Sequence, residues 1–184
     1  EHILATSTSA SLVVAWPPKT LVLIDQFLNF THGREHSFYP MEDGKVVYFD
    51  TTDPYCPTIH QHLSESALEL SIALQKGATY ACFDTPGLGN RAESEMVRRL
   101  GGHLIGGTNF PEVLLARELA ICYATVGVVS NYAAGMTPTN TAGEIFENVK
   151  GVGEKIIALF SNTLVKLPHK RTCMCSKALE NSSL

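Results

Sequence analysis

The chain has little of what would mark it for a membrane or a nucleic acid. Only 17% of its 184 residues are charged, and 14 Lys and Arg are outnumbered by 18 Asp and Glu with no basic block. That excludes tight, charge-driven attraction to nucleic acid or an anionic membrane, which needs clustered cations. No apolar run approaches the roughly 18 residues of a spanning helix, and no charged segment precedes an apolar stretch at the start. The expectation is a soluble, cytoplasmic protein with no nucleic-acid or membrane partner. Internal repeats are absent too. Five cysteines is an odd number, and Cys56, Cys82 and Cys122 fall in segments that read as buried, which suits reduced thiols. Cys173 and Cys175 form a CxC with no second Cys or His pair close by in sequence, so no metal site is expected.

What is present is apolar substance, 45% of the residues, enough for one core and too little for two. Thr20 to Asp25 is a continuous apolar run of the kind a strand covered on both faces shows. Residues 28–45 carry no period and read as a long functional or interface loop, followed by a short strand at Val46 to Phe49. Pro57 opens a helix with Ile59, Leu63, Leu70 and Leu74 on one spacing, ending at Lys76-Gly77. A strand at Ala78 to Phe83, a turn at Thr85 to Gly89 and a helix from Arg91 to Leu100 follow, with Asn90 and Glu93 as a capping pair. Then come a short strand at Leu104 and Ile105, a helix from Pro111 to Leu119, and a long strand from Ile121 to Ser130. Thr141 and Glu144 cap one last helix with Ile145, Val149, Val152, Ile156 and Phe160 on a stripe. Alternating strands and helices predict an α/β fold with a mixed, largely parallel sheet flanked by helices, as one domain over residues 1–166. Residues 167–184 show no such pattern, which leaves disorder open for the tail.

Three places carry chemistry. Gly87 to Ala92 is formally GxGxxA between a strand and a helix, the dinucleotide fingerprint. The acidic residue that should follow at the next strand's end is replaced by Ile105, Gly106 and Gly107, and Pro86 precedes the turn, so a nicotinamide cofactor is disfavoured. Thr108 stands ahead of the helix start at Asn109 to Glu112, where free N–H groups favour an anion. The competing reading is that Thr108 or Asn109 merely caps that helix, with Glu112 as its N3 carboxylate. Asn131 follows a long apolar strand, where a crevice should open, and its amide can donate to and accept from one planar ligand. A turn-forming Asn is the alternative.

Gly106 to Met136 (GGTNFPEVLLARELAICYATVGVVSNYAAGM), Thr79 to Ser94 (TYACFDTPGLGNRAES) and Leu21 to Phe27 (LVLIDQF) together resemble the trimeric purine nucleoside phosphorylase and methylthioadenosine phosphorylase family. The resemblance runs from Ile3 to about Leu164. It implies a nucleoside phosphorylase-like fold, a homotrimer, a role in purine salvage, and phosphorolysis of purine nucleosides to free base and (methylthio)ribose 1-phosphate. Inorganic phosphate would be co-substrate, with no cofactor. By position Thr108 looks like the phosphate-binding hydroxyl and Asn131 the catalytic, base-selecting residue. Leu88 stands where a base-stacking Phe is usual and Gly107 where a ribose-packing Met is usual. Asn131 with Ala133, in place of two Asp, resembles the 6-oxopurine branch. Ala142 aligns near the sugar's 5′ group, where a small apolar residue tolerates methylthio. Tyr48 aligns with a residue that reaches into the neighbouring subunit's site. The family's Gly-rich phosphate loop and Arg-His-Gly segment have no counterpart in these 184 residues. Negligible turnover by this chain alone is therefore expected. The alternative is a non-catalytic truncated homologue that retains oligomerisation or weak purine binding.

Overall fold

A computed structural model of the chain describes residues 1–39, 47–84, 89–137 and 141–180. Five strands, β1 (His2–Ser11), β2 (Leu21–Asn29), β3 (Leu74–Cys82), β4 (Leu104–Gly106) and β5 (Cys122–Tyr132), close into a barrel in the order β1-β4-β3-β2-β5. The pairs β1/β5, β2/β3 and β3/β4 are parallel, while β1/β4 and β2/β5 are antiparallel. The mixed, largely parallel sheet expected from the sequence is thus present, and it curls until it has no free edge. Helices α1 (Pro57–Glu69), α2 (Arg91–Arg99), α3 (Glu112–Glu118), α4 (Ala142–Lys150) and α5 (Gly153–Leu164) flank it.

Strand β2 shows why its sequence is continuously apolar. Leu21 and Leu23 join Ile59, Leu63 and Leu159 under α1 and α5, while Val22 and Ile24 join Tyr80, Leu104 and Val129 in a second buried cluster. Both faces lose water, so no polar alternation survives. Each fully buried side chain of this size contributes roughly 1.5–3 kcal/mol.

Local signals misled in four places. Helix α1 stops at Glu69 instead of running to Gly77, because Ser71 turns into the left-handed region (φ 53°) and Ile72 N–H bonds back to Ala67. Leu74, which fits the helical spacing, opens β3 instead. The single long helix after Thr141 is two, broken at Gly151, although Val149, Val152, Ile156 and Phe160 all face the core as the stripe required. Strand β1 was not anticipated, since ATSTSAS has neither apolar alternation nor bulk. Of the expected strand at Val46 to Phe49, residue 46 lies outside the described residues, and Tyr48 and Phe49 are not in a strand. The expected turn at Thr85 to Gly89 lies outside them except for Gly89.

The described part of the tail, residues 167–180, touches the body. Leu167 and Cys173 pack on the cluster beneath α1 and α5, and Cys175 is buried within it. There the fold corrects the inference drawn from linear spacing. The CxC thiols have Cys56 and Cys122 beside them, both far away in sequence.

Helix α1 carries a buried base. His60 stacks on Tyr55 with ring centroids 5.9 Å apart, its Nε2 has no partner, and burial pushes its imidazole down to about 4. A depressed folded-state value means that the unfolded chain takes up a proton near pH 6.5 that the folded chain refuses. The stabilisation is therefore complete above pH 6.5 and is lost as pH falls toward 4. The loss should be on the order of 2–3 kcal/mol. Urea unfolding at pH 7 and pH 4.5 measures it, and His60→Gln should show a pH dependence smaller by that amount; an unchanged dependence would remove His60 as its source.

Candidate active site

The site begins with a row across three strands. Ala10 of β1 pairs with Ile105 of β4 on one side and with Asn131 of β5 on the other. The β1/β5 register shifts between Ser9 and Ala10, so that Ser9 opposes Val129 while Ala10 opposes Asn131, leaving Ser130 as the extra residue. Successive strand residues normally face opposite ways; this bulge lets Ser130 and Asn131 line the same hollow. A cavity of about 460 Å³ opens there, walled by Thr8, Ser9 and Ala10, by Phe83 and Asp84 after β3, by Gly106 and Gly107 at the end of β4, and by Ile145 of α4. It also takes in Gly89, Asn90 and Glu93 at the start of α2.

Asn131 is held rigidly. Its Oδ1 accepts from Ser130 Oγ at 2.6 Å and its Nδ2 donates to the Tyr132 carbonyl at 2.8 Å. One N–H and one lone pair remain for a ligand, the pair that a planar heterocycle with an acceptor beside a donor would engage. Phe83 adds an aromatic wall, its ring stacked on Phe30 at 4.7 Å and 13°. Leu88, which the resemblance puts at the base-covering position, lies outside the described residues.

Thr108 follows the cavity-lining Gly107 but is not itself in the wall. Its backbone N–H donates to Tyr80 Oη at 3.2 Å, and its hydroxyl lies 2.7 Å from Ser7 Oγ. Ser7 gives its own proton to Tyr80 Oη at 3.0 Å, so Thr108 is the donor in that pair. The hydroxyl expected to meet an anion therefore spends its proton on β1. The capping alternative also fails: Pro111 occupies the N-cap of α3 with no side-chain cap bond, and Glu112 accepts from Tyr123 Oη. Asn109 is buried, in the left-handed region (φ 73°), with its amide donating to Tyr55 Oη and accepting from Thr125 Oγ1. That fixes the loop from inside the protein. Gly106 has to be glycine, because a Cβ there would meet Tyr80 Oη at 2.0 Å and the Thr8 carbonyl at 2.9 Å.

The cavity's charges are acidic. Asp84 and Glu93 line it, and no Lys, Arg or His does among the described residues. The His32 backbone N–H and then the Arg34 guanidinium hold the Asp84 carboxyl below its usual range. Arg34 comes from the aperiodic loop after β2 and is held by four hydrogen bonds to oxygen. Its Nε donates to Asp84 at 2.8 Å, its Nη1 to the Gly107 and Phe110 carbonyls at 3.0 and 2.7 Å, and its Nη2 to the Phe83 carbonyl at 3.2 Å. It fastens the two loops that shape the mouth.

The remaining sequence candidates scatter. Ala133 is buried with Leu12, Ala81 and Val97, behind the wall. Ala142 is exposed at the first turn of α4, one turn before Ile145, which does line the cavity. Tyr48 is exposed in a separate hollow with Asp50, Arg117 and Met174. Sequence reasoning missed Thr8, Ser9 and Ala10 because they lie in β1, which gave no strand signal, and Phe83, Asp84 and Ser130 because their place in the wall depends on how the strands pair. The GxGxxA stretch contributes Gly89 (φ 76°) and the Asn90/Glu93 capping box, and the next strand, β4, ends at Gly106.

Comparison with known proteins agrees with this geometry. Residues 1–166 match the family described as the Phosphorylase superfamily. The chain is 42% identical over 181 residues to a "Probable 6-oxopurine nucleoside phosphorylase" of Dictyoglomus turgidum, covering 98% of this chain and 68% of that one. It is 41% identical over 170 residues to a "Probable S-methyl-5'-thioinosine phosphorylase" of Methanopyrus kandleri, covering 92% and 65%. Among solved structures, a methylthioadenosine phosphorylase from an antarctic soil metagenomic library superposes with a TM-score of 0.90 at 27% identity, covering 100% of this chain and 65% of that one. The chain spans about two thirds of the length of these relatives. A barrel that superposes on such an enzyme over its whole length, and a family match reaching through α5, have one reading: the chain belongs to the Phosphorylase superfamily.

Proposed function

We propose that this chain supplies the base- and sugar-facing part of a purine nucleoside phosphorolysis site, acting on 6-oxopurine or 5′-methylthio nucleosides and yielding free purine and (methylthio)ribose 1-phosphate. The observation that carries the proposal is Asn131 at the bulge in β5, with one free N–H and one free lone pair facing a cavity that has an aromatic wall. An amide there complements an oxygen acceptor and an adjacent ring N–H of a 6-oxopurine. As the glycosidic bond breaks, electrons flow to the base, and a fixed donor at the base steadies that charge. Phosphate is the co-substrate and no cofactor is needed.

Two further parts of the reading concern surroundings. Tyr48 is exposed and lies outside its own chain's cavity, which suits a residue completing the site of a second copy in a homotrimer. No helix among the described residues is long and apolar enough to cross a membrane. The proposed salvage reaction would take place in the cytoplasm.

Calorimetric titration of the purified chain with hypoxanthine and with adenine tests the proposal. Hypoxanthine should bind more tightly, and Asn131→Ala should weaken it by roughly 10-fold or more, the cost of two lost hydrogen bonds at about 0.5–1.5 kcal/mol each. Binding that ignores this substitution would detach the site from Asn131.

A further inference from the structure

The thiols of Cys56, Cys122, Cys173 and Cys175 converge at one point, all four sulfur atoms lying within 4.8 Å of one another. They arrive from three parts of the chain: the residue before α1, the first residue of β5, and the tail. Cys173 Sγ stands 3.4 Å from Cys122 Sγ and 3.7 Å from Cys56 Sγ. A tetrahedral zinc ion with Zn–S bonds of about 2.3 Å sets its sulfurs about 3.8 Å apart. All five cysteines of the chain are free, and only Cys82 lies outside the group.

We propose that Cys56, Cys122, Cys173 and Cys175 form a structural tetrathiolate site for zinc. The ligand set is closed, four sulfurs with no position left for water or substrate, which is the arrangement of structural and not catalytic zinc. Softness points the same way, since a tetrahedral all-sulfur set selects zinc over hard cations. Three of the four cysteines are buried and Cys173 is partly so. Cys56 immediately precedes the first turn of α1, which fixes its place beside the start of β5. Lys170, Arg171 and Lys177 flank the CxC in sequence, with Arg171 paired to Glu1 and Lys177 to Glu180. Arg171 also donates to the Ala120 carbonyl, two residues before Cys122.

Binding is an exchange without redox change. Four S–H bonds are lost, four Zn–S bonds form, and the four protons go to solvent. The gain is mechanical. Cys56 and Cys173 are 117 residues apart, so one ion closes a long loop and adds a fixed point to a tail held otherwise by apolar contacts and by Arg171 on Glu1 and the Ala120 carbonyl. Cys122 opens β5 and Asn131 lies near its far end, about 30 Å away at about 3.3 Å per residue. The tetrathiolate is thus separate from the purine cavity.

The test needs no activity. The chain, purified with a mild reductant and no chelator, should carry one zinc by elemental analysis. After the metal is removed, cobalt(II) should give the thiolate charge-transfer and intense visible bands of a tetrahedral sulfur site. Cys173→Ser/Cys175→Ser should lower zinc content at least 10-fold while the far-ultraviolet circular dichroism stays that of the folded chain. Should that variant fail to fold, the cobalt spectrum of the unsubstituted chain still decides. Less than a tenth of a zinc per chain with no tetrahedral cobalt spectrum overturns the proposal, whether the thiols are then found free or oxidised in pairs.

Discussion

Assayed alone with inosine and inorganic phosphate, the 184 residues should release purine roughly 10,000-fold or more slowly than the same chain with the family's Gly-rich loop and Arg-His-Gly segment placed upstream of Glu1, because each missing donor to a developing charge costs about 100- to 1,000-fold. A phosphate dianion needs several converging donors, and the cavity offers few. Its charged side chains among the described residues are Asp84 and Glu93, which repel phosphate. Thr108 gives its hydroxyl proton to Ser7. Arg34, bonded to the cavity-lining Asp84, has Nε, Nη1 and Nη2 on Asp84 and three backbone carbonyls. Releasing it would cost those bonds and loosen the mouth. Arg91, on the first turn of α2, lays its aliphatic stem against Gly135. A coupled assay of hypoxanthine release, with and without phosphate, measures the difference. Robust phosphate-dependent turnover by the short chain would sink the argument and make Arg34→Ala and Arg91→Ala the next variants to compare.

The sequence made this site half legible. Asn131 could be placed because a nine-residue apolar strand must end somewhere, and a polar residue at its end faces a crevice. Gly107 is legible only through the family resemblance, and the start of α2 through its Asn90 and Glu93 capping pair. The bulge at Ser130 could not, because it arises from pairing with β1, and β1 announces itself only through small hydroxyl residues that suit a loop equally well. Helix α1 was drawn too long because Leu70 and Leu74 keep a helical spacing that the reversal at Ser71 makes irrelevant. The thiol cluster shows the same limit. Cys56, Cys122 and the CxC are neighbours only after the barrel closes, so no spacing rule could join them.

Asn131→Asp should move base preference from 6-oxopurines toward 6-aminopurines by roughly 10- to 100-fold in relative affinity, the size expected when a buried hydrogen-bonding pair is reversed at about 1–3 kcal/mol. The Asn131 amide offers an N–H to an oxygen at position 6, whereas a carboxylate repels that oxygen and accepts from an amino group. The surroundings shape the outcome. Nδ2 lies 2.8 Å from the Tyr132 carbonyl, so an Asp oxygen in its place would face another acceptor unless it carried the proton. Together with burial, that raises the new carboxyl's pKa and keeps it partly protonated. A protonated group spends its O–H on Tyr132 and leaves the other oxygen, already held by Ser130, as a neutral acceptor; a deprotonated one accepts more strongly. The preference for adenine should therefore grow as pH rises through that raised value. Ala133→Asp, which would complete the two-Asp pattern, is a poor companion here. Ala133 is buried among Leu12, Ala81 and Val97, where an unpaired carboxylate costs several kcal/mol and would unfold the chain before it altered selectivity. Titrating Asn131→Asp with hypoxanthine and adenine at pH 6 and pH 8 decides the matter. An unchanged preference at both pH values would mean that the base is read elsewhere in the cavity, with Ser130 and Asp84 the first residues to substitute.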